Sequence, residues 1–265
     1  GEVTEGAIDE AFRHSITKMS HLHFVAAKEY ANRVIQMGEA PWRITISGAP
    51  ALDHLNAFSP LPIETLSGRV GMSLQGEDFL LVTYHPVTLE FERTAAQIDQ
   101  LLTALDSIGF PTVFTMPNAD TSGRLIRERL VEFTRNRPDA VCVESLGLQG
   151  YLSMMTYAAA MVGNSSSGLI EAPSFKLPVV NIGNRQKGRI RAASVLDCAD
   201  DAESITTTIR QALTGAFRAS LKGMINPLGD GKASDRIAQR LMTEPLDDRL
   251  LSKSFYDLPQ GSEKR

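Results

Sequence analysis

The chain has 265 residues, 43% apolar and 22% charged, with a net charge of -4. That composition belongs to a globular protein of one large or two modest domains. It excludes a disordered chain and argues against a general nucleic-acid binder. Two widely spaced cysteines, Cys142 and Cys198, exclude a disulfide scaffold and read as buried thiols, and no run reaches the roughly 18 apolar residues of a membrane span.

The chain starts at Gly1, without methionine. We read this as a processed or trimmed start, or as the middle of a longer protein. Asp9 to Met19 has helical periodicity, with Ala11, Ile16 and Met19 on one side. His23–Ala27 reads as a strand, Lys28 to Met37 as a helix and Arg43–Gly48 as a second strand. Asn56 to Gly68 is turn-rich, with Pro60 and Pro62, and a domain boundary is placed there. The segment before it looks like the tail of a domain.

A regular alternation follows. Strands are predicted at Phe79–Tyr84, Thr112–Met116, Ala140–Glu144, Ala160–Gly163, Val179–Ile182 and Val195–Leu196. Helices are predicted at Thr94–Ile108, Gly123–Asn136 and Gln149–Ala158, with a short one from Ser166. Four more lie at Asp201–Leu213, Phe217–Lys222, Ala233–Met242 and Leu246–Leu251. Strands apolar on both faces, alternating with amphipathic helices, indicate a parallel, doubly wound α/β sheet.

In such sheets ligands bind outside the carboxyl ends of the strands. Those ends carry Tyr84-His85-Pro86, Pro117-Asn118-Ala119-Asp120, Glu144-Ser145-Leu146-Gly147, Gly163-Asn164-Ser165-Ser166-Ser167 and Gly183-Asn184-Arg185. Polar groups, glycines and a cation thus gather on one edge, while the strand interiors stay apolar. Serines at a helix N-terminus suit a phosphate, because backbone N–H groups and the helix dipole attract anions there. Glu171 follows one to two turns later and suits a pair of ribose hydroxyls. Arg185 offers a planar fork to phosphate. Each residue also has an ordinary reading. A serine before a helix is usually an N-cap, a His-Pro pair is usually a turn, and Arg185 with Gln186, Lys187 and Arg189 also reads as a solvated basic loop. The shared edge favours a nucleotide diphosphate site.

The segments "GEVTEGAIDEAFRHSITKMSHLHFV", "TYHPVTLE", "MPNADTSGR" and "GNSSSGLIEAPSFKLPVVNIGNRQKGR" resemble the hydrolysing UDP-N-acetylglucosamine 2-epimerases of sialic acid synthesis, in order and spacing. The resemblance covers essentially the whole chain. It implies a GT-B-like fold of two Rossmann-like domains: a truncated N-terminal remnant at 1–66, a UDP-binding domain at 67–245, and a C-terminal helix and tail at 246–265. The family's early arginine, aspartate and motif glutamate would precede Gly1, so Glu2 does not inherit the glutamate's role. The chain alone is then expected to be a poor enzyme.

The same resemblance implies catalytic roles for Asp9 and His85. It implies UDP contacts from His85, Asn118, the Leu146 backbone (at uracil), Ser165, Ser166, Glu171 (at ribose) and Arg185. The implied reaction takes UDP-GlcNAc and water to N-acetylmannosamine and UDP, with no cofactor and no metal. The expected partners are UDP-GlcNAc and UDP, without nucleic acid or membrane. A cytoplasmic homo-oligomer is expected. Rival readings are a non-hydrolysing UDP-GlcNAc 2-epimerase, a hydrolysing epimerase of a diacetamido-sugar nucleotide, a GT-B glycosyltransferase, or a non-catalytic UDP-sugar module. The absence of arginine just after His85-Pro86-Val87 favours hydrolysis over the first of these.

Overall fold

The computed structural model describes residues 1–5, 9–76, 79–117 and 121–259. Its elements are α1 (Asp9–Met19), β1 (His23–Val25), α2 (Lys28–Gln36), β2 (Ile44–Ile46), a 3-10 segment (Pro50–Ala57), α3 (Ile63–Val70), β3 (Leu80–Thr83), α4 (Thr94–Ile108), β4 (Thr112–Thr115), α5 (Thr121–Thr134), β5 (Ala140–Val143), α6 (Gly147–Tyr157), β6 (Ala160–Gly163), α7 (Ser167–Ile170), β7 (Val179–Ile182), β8 (Val195–Cys198), α8 (Ala202–Ala212), α9 (Gly215–Ser220), α10 (Ala233–Thr243) and α11 (Asp248–Leu251). Among the described residues, no helix is long and apolar enough to cross a membrane.

The chain forms two compact units, Phe58–Asn226 and Gly1–Ala57 with Pro227–Arg265. These differ from the sequence divisions at 66/67 and 245/246. Pro227–Arg265, with α10 and α11, joins the first unit through contacts made far along the chain. Asp53 accepts from the backbone N–H groups of Ala233 (2.8 Å) and Ser234 (2.6 Å), capping the start of α10.

The Phe58–Asn226 unit holds a six-stranded, all-parallel sheet in the order β5-β4-β3-β6-β7-β8. β3 pairs with both β4 and β6, Leu80 lying opposite Thr112 and Ala160. Leu80, Leu81, Val113, Val162 and Val180 are all fully buried. Both faces of the sheet are therefore covered, as apolar parallel strands require. One face holds Leu80, Val82, Phe114 and Val162 with Ile98 and Leu101 of α4, Ile126 of α5, and Ile205 and Ile209 of α8. Fully burying such side chains contributes about 1.5–3 kcal/mol each, and a one-residue slip would turn the set to the wrong face.

α3 falls inside the stretch read as turns. Pro60 and Pro62 look like helix breakers, but Pro62 is the N-cap of α3, where its missing N–H costs nothing. The helix ends at Gly71 in the left-handed region, φ 72°.

In the other unit, β1 and β2 form a parallel pair linked by α2, which buries Tyr30, Ala31 and Val34. α1 has the bounds its periodicity indicates; it turns Thr17 inward and leaves Ala11, Phe12, Ile16 and Met19 exposed. Glu39 is completely buried and bonded to Lys18 Nζ (2.6 Å), Lys253 Nζ (2.8 Å) and His23 Nε2 (3.0 Å). Arg43 donates to the carbonyls of His21, Arg249, Leu250 and Ser252 at 2.9–3.0 Å. These two charged groups fasten the C-terminal segment to the β1–β2 unit.

Candidate functional site

The strand order decides where the polar strand ends meet. From β3 the chain runs outward through β4 to β5, then returns so that β6 pairs on the other side of β3. The order of strands reverses between β3 and β6. Ligands of open α/β sheets bind in the crevice at that point. The residues leaving β3 are Tyr84 and His85, and those leaving β6 are Asn164, Ser165 and Ser166.

β6 can come this close because it ends in glycine. Gly163 has φ 135°, and a Cβ there would overlap the Thr83 carbonyl. Asn164 follows, fully buried. Its Oδ1 accepts from the His85 N–H (2.7 Å) and its Nδ2 donates to the His85 carbonyl (2.8 Å). Its own carbonyl accepts from Arg185 Nη1 (2.9 Å) and Gln186 Nε2 (2.8 Å). The loops after β3, β6 and β7 are thereby joined. His85, Ser165, Ser166 and Arg185, picked from sequence on their shared edge, stand in these three joined loops.

The serines differ in role. Ser165 is buried, and its Oγ accepts from the Ser167 N–H at 3.3 Å. Ser166 occupies the N-cap of α7, yet its side chain makes no capping bond. The ordinary capping explanation therefore does not account for the Ser166 hydroxyl. α7 is only one turn long. The dipole of so short a helix is correspondingly small.

Behind the serines runs a set of partly buried hydroxyls. Thr83 Oγ1 lies 2.5 Å from Thr115 Oγ1 and 3.4 Å from the Tyr151 hydroxyl. Burial raises the Tyr151 phenol's pKa, while bonds to Thr83, Ser167 and Ser165 work against that rise. Glu171 is partly buried, and its Oε2 has no partner. Burial raises its pKa above the ordinary carboxylate value. A carboxylate oxygen shielded from water without a donor is poised to accept one from a bound molecule.

Leu146 lies at the end of β5, at the N-cap of α6. It lines a depression of about 410 Å³ with Arg69, Val70, Cys142 and residues 143–145. Asn118, expected at the end of β4, lies outside the described residues. Asp9 opens α1 in the other unit. Its carboxylate is 60% exposed and 2.7 Å from Arg13 Nη1, and Arg13 Nη2 also holds Glu10 at 2.8 Å. The two cysteines are free and only partly buried, which corrects the reading of buried thiols. Burial still raises the Cys142 pKa and pushes Cys198 up to about 12. Among the described residues, no group of three or more His, Cys, Asp and Glu side chains is placed to hold a metal ion.

Sequence reasoning did not single out Asn164, Gln186 or Tyr151. Asn164 stood inside a quoted motif, but an asparagine before serines reads as a turn. Gln186 was absorbed into the basic loop, although it is 1% exposed. Nothing in the sequence reveals that Tyr151 faces the serines.

The family model described as UDP-N-acetylglucosamine 2-epimerase matches residues 1–242. The chain is 39% identical over 260 residues to a Campylobacter jejuni protein named GDP/UDP-N,N'-diacetylbacillosamine 2-epimerase (hydrolyzing), covering 97% of this chain and 67% of that protein. It is 34% identical over 265 residues to polysialic acid biosynthesis protein P7 of Escherichia coli, covering 98% and 66%. Among solved structures it is similar to UDP-GlcNAc 2-epimerase from Neisseria meningitidis bound to UDP-GlcNAc, with a TM-score of 0.74 and 17% identity over 89% of this chain and 65% of that one. That last likeness is one of fold, and the fold is α/β and GT-B-like. The chain spans about two thirds of the length of these relatives. With a family model matching residues 1–242 and relatives above 30% identity along nearly its whole length, this chain belongs to the UDP-N-acetylglucosamine 2-epimerase family.

Proposed function

We propose that the gene product is a hydrolysing 2-epimerase of a UDP-linked 2-acetamido sugar. The observation that carries the reading is the joining of His85, Ser165, Ser166 and Arg185 at the point where the strand order reverses. In the proposed reaction a carboxylate removes the C2 proton of the sugar. The C1–O bond breaks, its electron pair leaves with UDP, and a glycal remains. Water then adds, its hydroxyl to C1 and a proton to C2. The C2 proton is weakly acidic, so a placed base is needed, and the charge growing on the diphosphate must be neutralised. Asp9 is assigned the acid/base role, by family resemblance. His85, Ser165, Ser166 and Arg185 neutralise the leaving diphosphate. Glu171 takes the ribose hydroxyls, the Leu146 backbone the uracil, and Asn118 a further UDP contact.

For the sugar, the diacetamido pattern is our first reading; the 39% identical relative named for diacetylbacillosamine supports it. UDP-GlcNAc, giving N-acetylmannosamine for sialic acid synthesis, is the second reading. The relative named for polysialic acid biosynthesis favours it. The test is incubation with each UDP-sugar in deuterated water, followed by NMR. Free 2-epimerised sugar deuterated at C2 is the expected product, from the diacetamido substrate faster than from UDP-GlcNAc. A UDP-linked epimer would make the enzyme non-hydrolysing. UDP release only with an added acceptor sugar would make it a glycosyltransferase.

A further inference from the structure

We propose that Asn164 is the positioning residue that assembles the anion-binding edge. It sets the His85 loop through its side chain and the Arg185 loop through its main chain. The inference rests on the nucleotide-binding reading above.

Asn164 is fully buried and makes five hydrogen bonds, to Thr83 at the end of β3, to the loop after β3 and to the loop after β7. Its N–H donates to the Thr83 carbonyl at 3.1 Å, which continues the β6–β3 pairing past Gly163. Its carboxamide then meets the His85 main chain in both directions, at 2.7 and 2.8 Å. A side chain thus replaces the backbone ladder just where the two chains must part around a ligand. That exchange needs an acceptor and a donor side by side on a short stem. Asparagine alone supplies both at this length: aspartate is acceptor-only when ionised, and glutamine is one methylene longer. The Asn164 carbonyl completes the link by receiving both Arg185 and Gln186.

His85 carries an imidazole and Arg185 a guanidinium, and each takes its position from a bond to Asn164. Loss of the side-chain pairing would let the His85 loop drift. A loop displaced by even a fraction of an ångström loses charge-assisted hydrogen bonds, which depend steeply on geometry. The nucleoside end of the ligand, assigned to Leu146 and Glu171, makes no bond through Asn164.

The test compares UDP with uridine by calorimetry on the gene product and its Asn164→Leu variant. Leucine keeps the branched shape, adds no charge and removes both bonds to the His85 main chain. The expected result is UDP affinity reduced by about tenfold or more, with uridine affinity unchanged within about twofold. If Asn164→Leu does not fold, Gln186→Met tests the same link from the Arg185 side, with the same expected split. Equal weakening of UDP and uridine would mean a merely structural role and overturn the proposal. So would unchanged UDP affinity in a folded variant. A wild-type protein that binds UDP while the ratio stays fixed overturns this inference alone. A wild-type protein that binds no UDP overturns the nucleotide reading and this inference with it.

Discussion

Gly163 and Thr83 approach so closely that no side chain fits between them: a Cβ on Gly163 would overlap the Thr83 carbonyl oxygen. The contact lets the β6 loop close against the β3 loop. Gly163→Ala adds backbone strain at φ 135° and an overlap with rigid main chain. Strain at such φ values costs about 1–3 kcal/mol, and overpacking adds about as much. A loss of about 3 kcal/mol in urea unfolding is expected. A loss below about 0.5 kcal/mol would show that the strand ends separate at little cost.

Ser165 and Ser166 are predicted to carry diphosphate affinity. Hydrogen bonds to charged groups contribute about 1.5–3 kcal/mol. Replacing both serines by alanine is expected to weaken UDP binding by about tenfold or more. Calorimetry on the folded double variant measures it, and unchanged affinity would remove the serines from the site.

Glu171 should trade stability for binding. Burial raises its pKa above 4.5. The folded state therefore holds this proton more tightly than the unfolded state. Stability falls as pH rises through the interval above 4.5, where only the unfolded state has fully ionised. Glu171→Gln removes that cost. The variant should unfold at a higher temperature than wild type at pH 7, with the gain fading towards pH 4. Its UDP affinity should drop. Equal melting temperatures at pH 7 would mean that the carboxylate is solvated.

Glu39 should hold the C-terminal segment. Burial alone would raise its pKa, but bonds from Lys18, Lys253 and His23 bring it below the usual value. Glu39→Gln leaves Lys18 (42% exposed) and Lys253 (16% exposed) without their counter-charge; breaking a fully buried pair costs about 3–5 kcal/mol, and solvent around these lysines puts the expected loss below that range. Hydrogen exchange of the Leu250, Leu251 and Tyr256 amides should accelerate. His23 adds a pH dependence, because burial, the larger effect, holds its pKa below 6.5 despite Glu39. The unfolded state gains this proton first, so the His23 contribution is lost as pH falls below 6.5. Exchange rates unaltered in Glu39→Gln would mean that Glu39 does not fasten the segment.

Asp9 is predicted to serve chemistry and not nucleotide affinity. Asp9→Asn in the gene product should reduce turnover by about 10²–10⁴-fold, the range for a lost acid/base group, with UDP affinity kept. Wild-type turnover would leave Asp9 as a surface partner of Arg13, at 2.7 Å.

The fold class was legible because its signals are local. Leu80-Leu81-Val82 and Ala160-Met161-Val162 can be apolar throughout only if both faces are covered, and α4 carries its period and its closing Gly109 within one stretch of chain. The ends of the strands were legible for the same reason, so His85, Ser165, Ser166 and Arg185 were found on one edge. α3 was missed because proline reads as a breaker unless its position at the helix start is known. The stripe holding Ile16 and Met19 was legible as a period, but periodicity does not say what covers a stripe, and both residues are exposed. Pairing order is a non-local property. Only the tertiary structure sets β6 beside β3, brings the Asn164 carboxamide onto the His85 main chain, and leaves a Glu171 oxygen buried without a donor. Those facts depend on residues about 80 positions apart meeting within about 3 Å, and no local pattern of residue types encodes that distance.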